Sequence, residues 1–281
     1  MIAVWGPAGA PGRTTVAAGI AAELARRRRP TVLLDADPYG GAVAPLLGVV
    51  DEVSGLLSAA RLAGAGVLAE EFPSILRALG PELAVVTGLP RADRWPELRA
   101  GLVGEIAECG ATRAHLVIDT GFSLEEDGAG SSGRTGRNQL TLDALDAADE
   151  IVVVGSADPV GLSRLARGLV DLRDRIAAPA YVVVNRMRPT LGWTEADVAA
   201  MLAGVVRTAG LAFLPDDRTG VDRAVIAGRT LVETAPDGTL VRALSGLVDL
   251  VDGSVPPAGH RADGPRRRLP RLRFPLRGAA R

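Results

Sequence analysis

The 281-residue chain contains no lysine; all 32 of its basic residues are arginine. So strong a compositional bias explains blandly any arginine found where lysine is usual. The exchange still has physical weight, because a planar guanidinium places its charge differently from a compact ammonium. A single cysteine, Cys109, rules out a disulfide framework and a thiolate metal cluster within the chain. Near the end of a helical segment, it reads as a buried structural thiol. The two histidines, His115 and His260, are too few and too scattered for a zinc site or a Ser/His triad. No apolar run reaches membrane-spanning length, no secretory signal precedes the first apolar run, and no Gly/Ser linker splits the chain. One α/β domain over 1–255 in the cytoplasm is expected, followed by a basic tail over 256–281.

The most informative segment runs Trp5-Gly6-Pro7-Ala8-Gly9-Ala10-Pro11-Gly12-Arg13-Thr14-Thr15. A short apolar run, Ile2 to Trp5, precedes it, and an Ala/Leu-rich stretch from Thr14 to Arg29 with helical spacing follows. That is the strand, loop, helix order of a phosphate-binding loop, in which small residues let backbone N–H groups curl around oxygens at the positive end of a helix. Pro7 stands at the first glycine of G-x-x-x-x-G-K-[ST] and Arg13 at its lysine, so only the second half of the pattern is met. Thr31 to Leu34 is a second β-rich run delivering Asp35-Ala36-Asp37-Pro38 at its carboxyl end, where parallel strands place functional loops. If the strand persists that far, Asp35 is expected to point to its other side, away from Asp37. A third run, Ala114 to Ile118, ends in Asp119-Thr120-Gly121.

These segments, with Ile151 to Val154 before Asp158-Pro159, Val182-Val183-Val184-Asn185-Arg186, and Leu214-Pro215-Asp216-Asp217 following in order, resemble the ParA/MinD class of deviant P-loop ATPases over roughly residues 2–250. The Gly-Ala-Pro-Gly-Arg-Thr-Thr loop is similar to those of CpaE/TadZ-type and actinobacterial partition-like members. CpaE-type proteins commonly carry a receiver-like domain ahead of the ATPase domain, which is expected to be absent or omitted here. The resemblance implies a doubly wound, mostly parallel sheet flanked by helices, the P-loop NTPase fold, binding ATP/ADP with Mg²⁺. It implies that Gly9, Ala10, Gly12, Arg13, Thr14 and Thr15 cradle phosphate. Thr14, Asp37 and Asp119 would serve the metal, Asp37 would orient the attacking water, and Arg13 would meet phosphoryl charge. Asn185, Pro215 and Asp216 would hold the purine. On the residues alone, Thr14 and Thr15 could instead cap the helix and the acids could bind loop amides.

The same resemblance locates the departures. Ala8 occupies the position of the signature lysine that reaches across a nucleotide-sandwiched homodimer, so that dimer should be weakened. Pro11 removes a backbone N–H from the loop, and Arg13 misplaces charge that a transition state needs. Binding should survive better than turnover. The expected function is a positioning or partition ATPase that recruits a protein partner to a cellular site for pilus assembly, partition or septum placement. The alternative is a scaffold that never turns over.

Two segments stay open. The Gly/Ser/Arg-rich stretch from Glu125 to Arg137 is expected to be mobile, with Arg134 or Arg137 ordering on a γ-phosphate or a partner, or idle. The segment 260–281 carries eight arginines against one aspartate, a formal +7 that leaves −8 on the rest of a chain totalling −1. Pro265, Pro270 and Pro275 oppose a continuous amphipathic helix there, so an extended arm is expected. It could hold anionic membrane at the inner face, nucleic acid at the nucleoid, an acidic protein surface, or nothing.

Overall fold

The computed structural model describes residues 1–9, 11–50, 53–111, 113–126, 136–205 and 208–253. Within them the strands are β1 (Ile2–Trp5), β2 (Thr31–Ala36), β3 (Arg77–Ala78), β4 (Leu83–Val86), β5 (His115–Thr120), β6 (Glu150–Ser156), β7 (Ala180–Met187) and β8 (Gly210–Pro215). The helices are α1 (Arg13–Arg26), α2 (Val43–Leu46), α3 (Gly55–Gly64), α4 (Leu68–Glu71), α5 (Leu102–Ala111), α6 (Gln139–Ala147), α7 (Pro159–Arg173), α8 (Glu195–Ala203), α9 (Arg218–Ala227), α10 (Leu231–Thr234) and α11 (Thr239–Val251).

The strands form one sheet in the order β3-β4-β2-β5-β1-β6-β7-β8, parallel throughout except for the antiparallel edge strand β3. Near-continuous Val, Ile and Leu suits strands covered on both faces. Their two-residue period divides the core accordingly. Val4, Leu33, Val117, Val152 and Val183 pack under α1 and α11 on one face. Val32, Leu34, Leu116 and Ile118 meet α3 and α5 on the other, and Ala3, Trp5, Ile151 and Val153 meet α7 and α8 there. The sheet is therefore doubly wound, as expected. β1 lies at its centre between β5 and β6, so the loop after β1 leaves the carboxyl edge where chain direction across the sheet reverses.

Several elements differ in extent from the sequence reading. β2 and β5 run on through their acids, because the pairs Asp35↔Asp119 and Ala36↔Thr120 continue the parallel ladder. α1 stops at Arg26, and the backbone turns left-handed at Arg28, φ 61°. Cys109 is half-buried against the α3–α5 core rather than fully buried. Among the described residues no helix is long and apolar enough to cross a membrane. Ala10, Arg134 and the whole tail 256–281 lie outside the described residues.

Candidate functional site

The loop between β1 and α1 turns on two glycines at positive φ, Gly9 at 111° and Gly12 at 98°. Side-chain-bearing residues rarely adopt such values. Gly12 is the N-cap of α1, and no side chain caps that helix end. Thr14 and Thr15 thus sit inside the first turn and do not cap it, which leaves their hydroxyls for other work. Asn185, at the carboxyl end of β7, braces the loop from beneath. Its Nδ2 donates to the Pro11 carbonyl at 2.8 Å, and a Cβ at Gly12 would stand 2.5 Å from that nitrogen. Its Oδ1 accepts from the Arg186 amide at 2.9 Å.

Arg13 points back under the loop. Its Nη1 donates to the Gly6 carbonyl at 3.0 Å and its Nη2 to Asp37 Oδ2 at 3.2 Å, with both side chains largely buried. The other Asp37 oxygen accepts from the Tyr39 amide at 2.8 Å. Burial raises the Asp37 pKa, and the Tyr39 amide and Arg13 guanidinium offset only part of that. The two functional groups assigned to chemistry are therefore bound to each other in this conformation.

Two more carboxyls stand beside this pair. β2 ends at Ala36, so the strand does not reach Asp37, and Asp35, of the same parity as Leu33, lies on the α1 side, tucked against Gly41 and Gly88. It accepts from the Val43 amide at 3.0 Å and the Asp37 amide at 3.3 Å, fastening the segment after β2. Burial raises its pKa to about 7 despite those donors. Asp119, its register partner on β5, is 1 % exposed, and neither carboxylate oxygen has a hydrogen-bond partner. Burial and then the neighbouring Asp35 push its pKa well up, against the smaller pull of Thr14 and Arg13.

A buried carboxyl with both oxygens unmatched is costly unless something satisfies it. Asp119 at the first turn of α1, near Thr14, fits a hard divalent cation that takes oxygen ligands and keeps several waters and phosphate oxygens of its own. Among the described residues no group of three or more His, Cys, Asp and Glu could hold a metal alone.

On the other side of the loop a cleft of about 320 Å³ is lined by Gly12, Thr15, Asn185, Arg186, Pro215 and Asp216, among others. The Asp216 amide donates to the Met187 carbonyl at 2.9 Å, which ties the β8 end to the β7 end and shapes one wall. All the described residues assigned to phosphate, metal and purine therefore meet at one edge of the sheet. Tyr39, to which the residues alone gave no role, joins this edge: its hydroxyl donates to Asn138 Oδ1 at 2.7 Å, and its ring lies near Phe122 and under Arg137. Its place in Asp-x-Asp-Pro-Tyr was the only signal. Of the two cations considered in the 125–137 stretch, Arg137 thus lies at the site's rim.

Solved structures share this fold. A ParA family ATPase from Chlorobium tepidum is similar at 15% identity and a TM-score of 0.72, over 88% of this chain and 97% of that one. MinD complexed with Mg-ADP from Pyrococcus horikoshii gives 16% identity and 0.69 over 91% and 98%. MinD in a MinC:MinD complex from Aquifex aeolicus gives 18% and 0.62 over 92% and 98%. No family model and no curated protein matches the chain.

Proposed function

We propose that this chain is a nucleotide-binding positioning or partition protein that takes ATP or ADP with Mg²⁺ and hydrolyses ATP slowly. The observation carrying this reading is Asp119, a buried carboxyl with both oxygens unpartnered at the base of a glycine-turned loop that opens a helix. Support comes from the common fold with ParA and MinD structures, one of them holding Mg-ADP. Thr14 and Asp119, with Asp37, would hold the Mg²⁺, which supplies charge neutralisation at the phosphates. Backbone N–H groups of the loop and the Thr15 hydroxyl would hold phosphate oxygens, and Asn185, Pro215 and Asp216 the purine.

The clasp of Arg13 on Asp37 favours binding over turnover. Thr14, Asp119 and the loop amides can take Mg²⁺ and phosphate with the clasp closed, whereas Arg13 must leave Gly6 and Asp37 to reach a phosphate, and Asp37 must leave Arg13 to complete the metal's shell and orient water. The loop sequence Gly-Ala-Pro-Gly-Arg-Thr-Thr supports the CpaE/TadZ-type and actinobacterial partition-like branch. Ala8 offers no lysine to a second copy, so a homodimer would be held weakly through nucleotide. A protein partner is the expected output, as a MinD of this fold assembles with MinC. The tail 260–281 would add contacts to an anionic membrane or nucleic acid.

ATP binding and Mg²⁺-dependent phosphate release by wild type, Arg13→Lys and Asp37→Ala test this. Wild type is expected to bind, with slow release that Asp37→Ala abolishes. Binding without release in wild type would convert the reading to a nucleotide-holding scaffold, and absence of binding in all three would end it.

A further inference from the structure

The charge missing at Ala8 has a substitute in the same chain. Beside the loop lies a hollow of about 90 Å³ lined by Pro7, Ala8, Gly9, Asp158, Arg164 and Arg186, among others. Arg164 comes from the second turn of α7, is exposed, and lays its guanidinium over the loop. A Cβ built on Gly9 would collide with its Nη1. Only a glycine at this position lets a cation approach the loop backbone so closely. The hollow's one acid, Asp158, is already committed, since it accepts from the Ser156 hydroxyl at 2.5 Å and the Gly161 amide at 2.9 Å as the N-cap of α7. Among the described residues the Arg164 guanidinium has no ion-pair or hydrogen-bond partner. An unneutralised guanidinium held against a phosphate-binding loop is poised for an anion, and its planar fork suits phosphate oxygens.

We propose that Arg164 binds the terminal phosphates of the nucleotide from within the same chain and replaces the charge that Ala8 cannot deliver to a second copy. Nucleotide binding then needs no partner subunit. The inference rests on the nucleotide-binding reading above and adds a residue to that site. The position follows from the fold: α7 leaves the end of β6, adjacent to β1, and its first turns run past the loop that β1 feeds.

Calorimetric titration of the full chain with Mg·ATP and with AMP tests it. Arg164→Ala and Arg164→Gln are each expected to weaken ATP by about tenfold, the loss of one charge-assisted phosphate contact, while AMP changes by less than about twofold. Arg164→Lys keeps most of the ATP affinity. Arg167→Ala, which removes an equally exposed cation one turn along α7 but outside the hollow, leaves ATP unchanged. Unchanged ATP affinity in both Arg164 variants, or equal losses for ATP and AMP, would overturn the role of Arg164 and leave the nucleotide reading standing. A wild-type chain that binds no ATP would remove both. Arg164→Gln keeps the aliphatic stem and removes the charge, so it carries the result if Arg164→Ala folds poorly.

Discussion

Two buried acids, Asp119 beneath the loop and Glu23 within α1, show opposite solutions to the same problem. Glu23 has no exposed surface, yet it is wrapped by donors. Arg26 reaches it at 2.7 Å and Arg27 at 2.8 Å, and the Ser245 hydroxyl of α11 donates to it at 2.9 Å. Burial works to raise its pKa, but those hydrogen bonds win and hold it lowered. Arg27 also pairs with Asp249, so the cluster rivets α1 to α11. Asp119 is as deeply buried, and neither of its oxygens meets a donor in hydrogen-bonding geometry, the neighbouring Thr14 hydroxyl giving only a weak pull. A fully satisfied buried charge belongs to the architecture, whereas an unsatisfied one marks a place kept for something that binds.

Replacing each acid should separate the two cases most sharply. Glu23→Ala strands Arg26 and Arg27 and cuts the α1–α11 tie, with an expected loss of about 3 kcal/mol in urea unfolding, the low end for breaking a buried pair because both arginines reach solvent. Asp119→Asn removes a buried carboxyl that nothing compensates, so unfolding without ligand should be unchanged or up to about 1 kcal/mol more stable. The Mg²⁺-dependent stabilisation by ATP, about 2.7 kcal/mol at a hundredfold excess over Kd, should vanish in that variant. Equal destabilisation by both substitutions would mean that Asp119 is structural and the contrast is wrong.

The acids should also respond to pH with opposite signs. Glu23 has a lowered folded pKa, so its contribution is present above its unfolded pKa and is lost as pH falls through the folded value. Asp35 and Asp119 have raised folded values, so the folded state holds their protons more tightly. Their contribution is complete at pH below the ordinary aspartate range and is lost as pH rises, for Asp35 through about 7. Between pH 5 and 7 the ligand-free protein should lose stability at no more than about 1.4 kcal/mol per pH unit for each such group. Urea midpoints across that window should fall for wild type and fall less steeply in Asp35→Asn, where Asp119 still holds its proton more tightly in the folded chain. A wild-type profile already flat there would show both acids ionised in the folded chain.

How much of this was legible in the residues depended on whether a signal was local. The strand, loop and helix around Gly9 and Gly12 could be read because turn glycines and apolar periodicity act over a few neighbours. Asp37, Asp119 and Asn185 could be placed because each ends an apolar strand, and parallel strands end together. The Arg13–Asp37 clasp was not legible, since it depends on a side chain folding back across the loop. Arg164 was silent as well: one arginine among 32, it gains meaning only when α7 passes Gly9. Glu23 carried no local sign of its burial, because only α11, more than 200 residues on, covers it.

The smallest effect sharpens the contrast at the rim of the site. The Tyr39 hydroxyl donates to Asn138 Oδ1, and the Asn138 amide donates to the Glu125 carbonyl at 2.9 Å. This chain of bonds joins the segment carrying Asp37 to both described ends of the stretch after β5. Unlike Asp119, each group has its partner, so the network should behave like the Glu23 cluster in miniature. Tyr39→Phe keeps the ring against Phe122 and Arg137 and removes one hydroxyl, with an expected cost of about 1 kcal/mol in unfolding. ATP affinity should stay within about twofold, because the hydroxyl faces Asn138 and not the loop. A larger fall in affinity than in stability would place Tyr39 with Asp119 among the groups kept for ligand, and the line between satisfied and waiting polar groups would then run inside the segment after β2 itself.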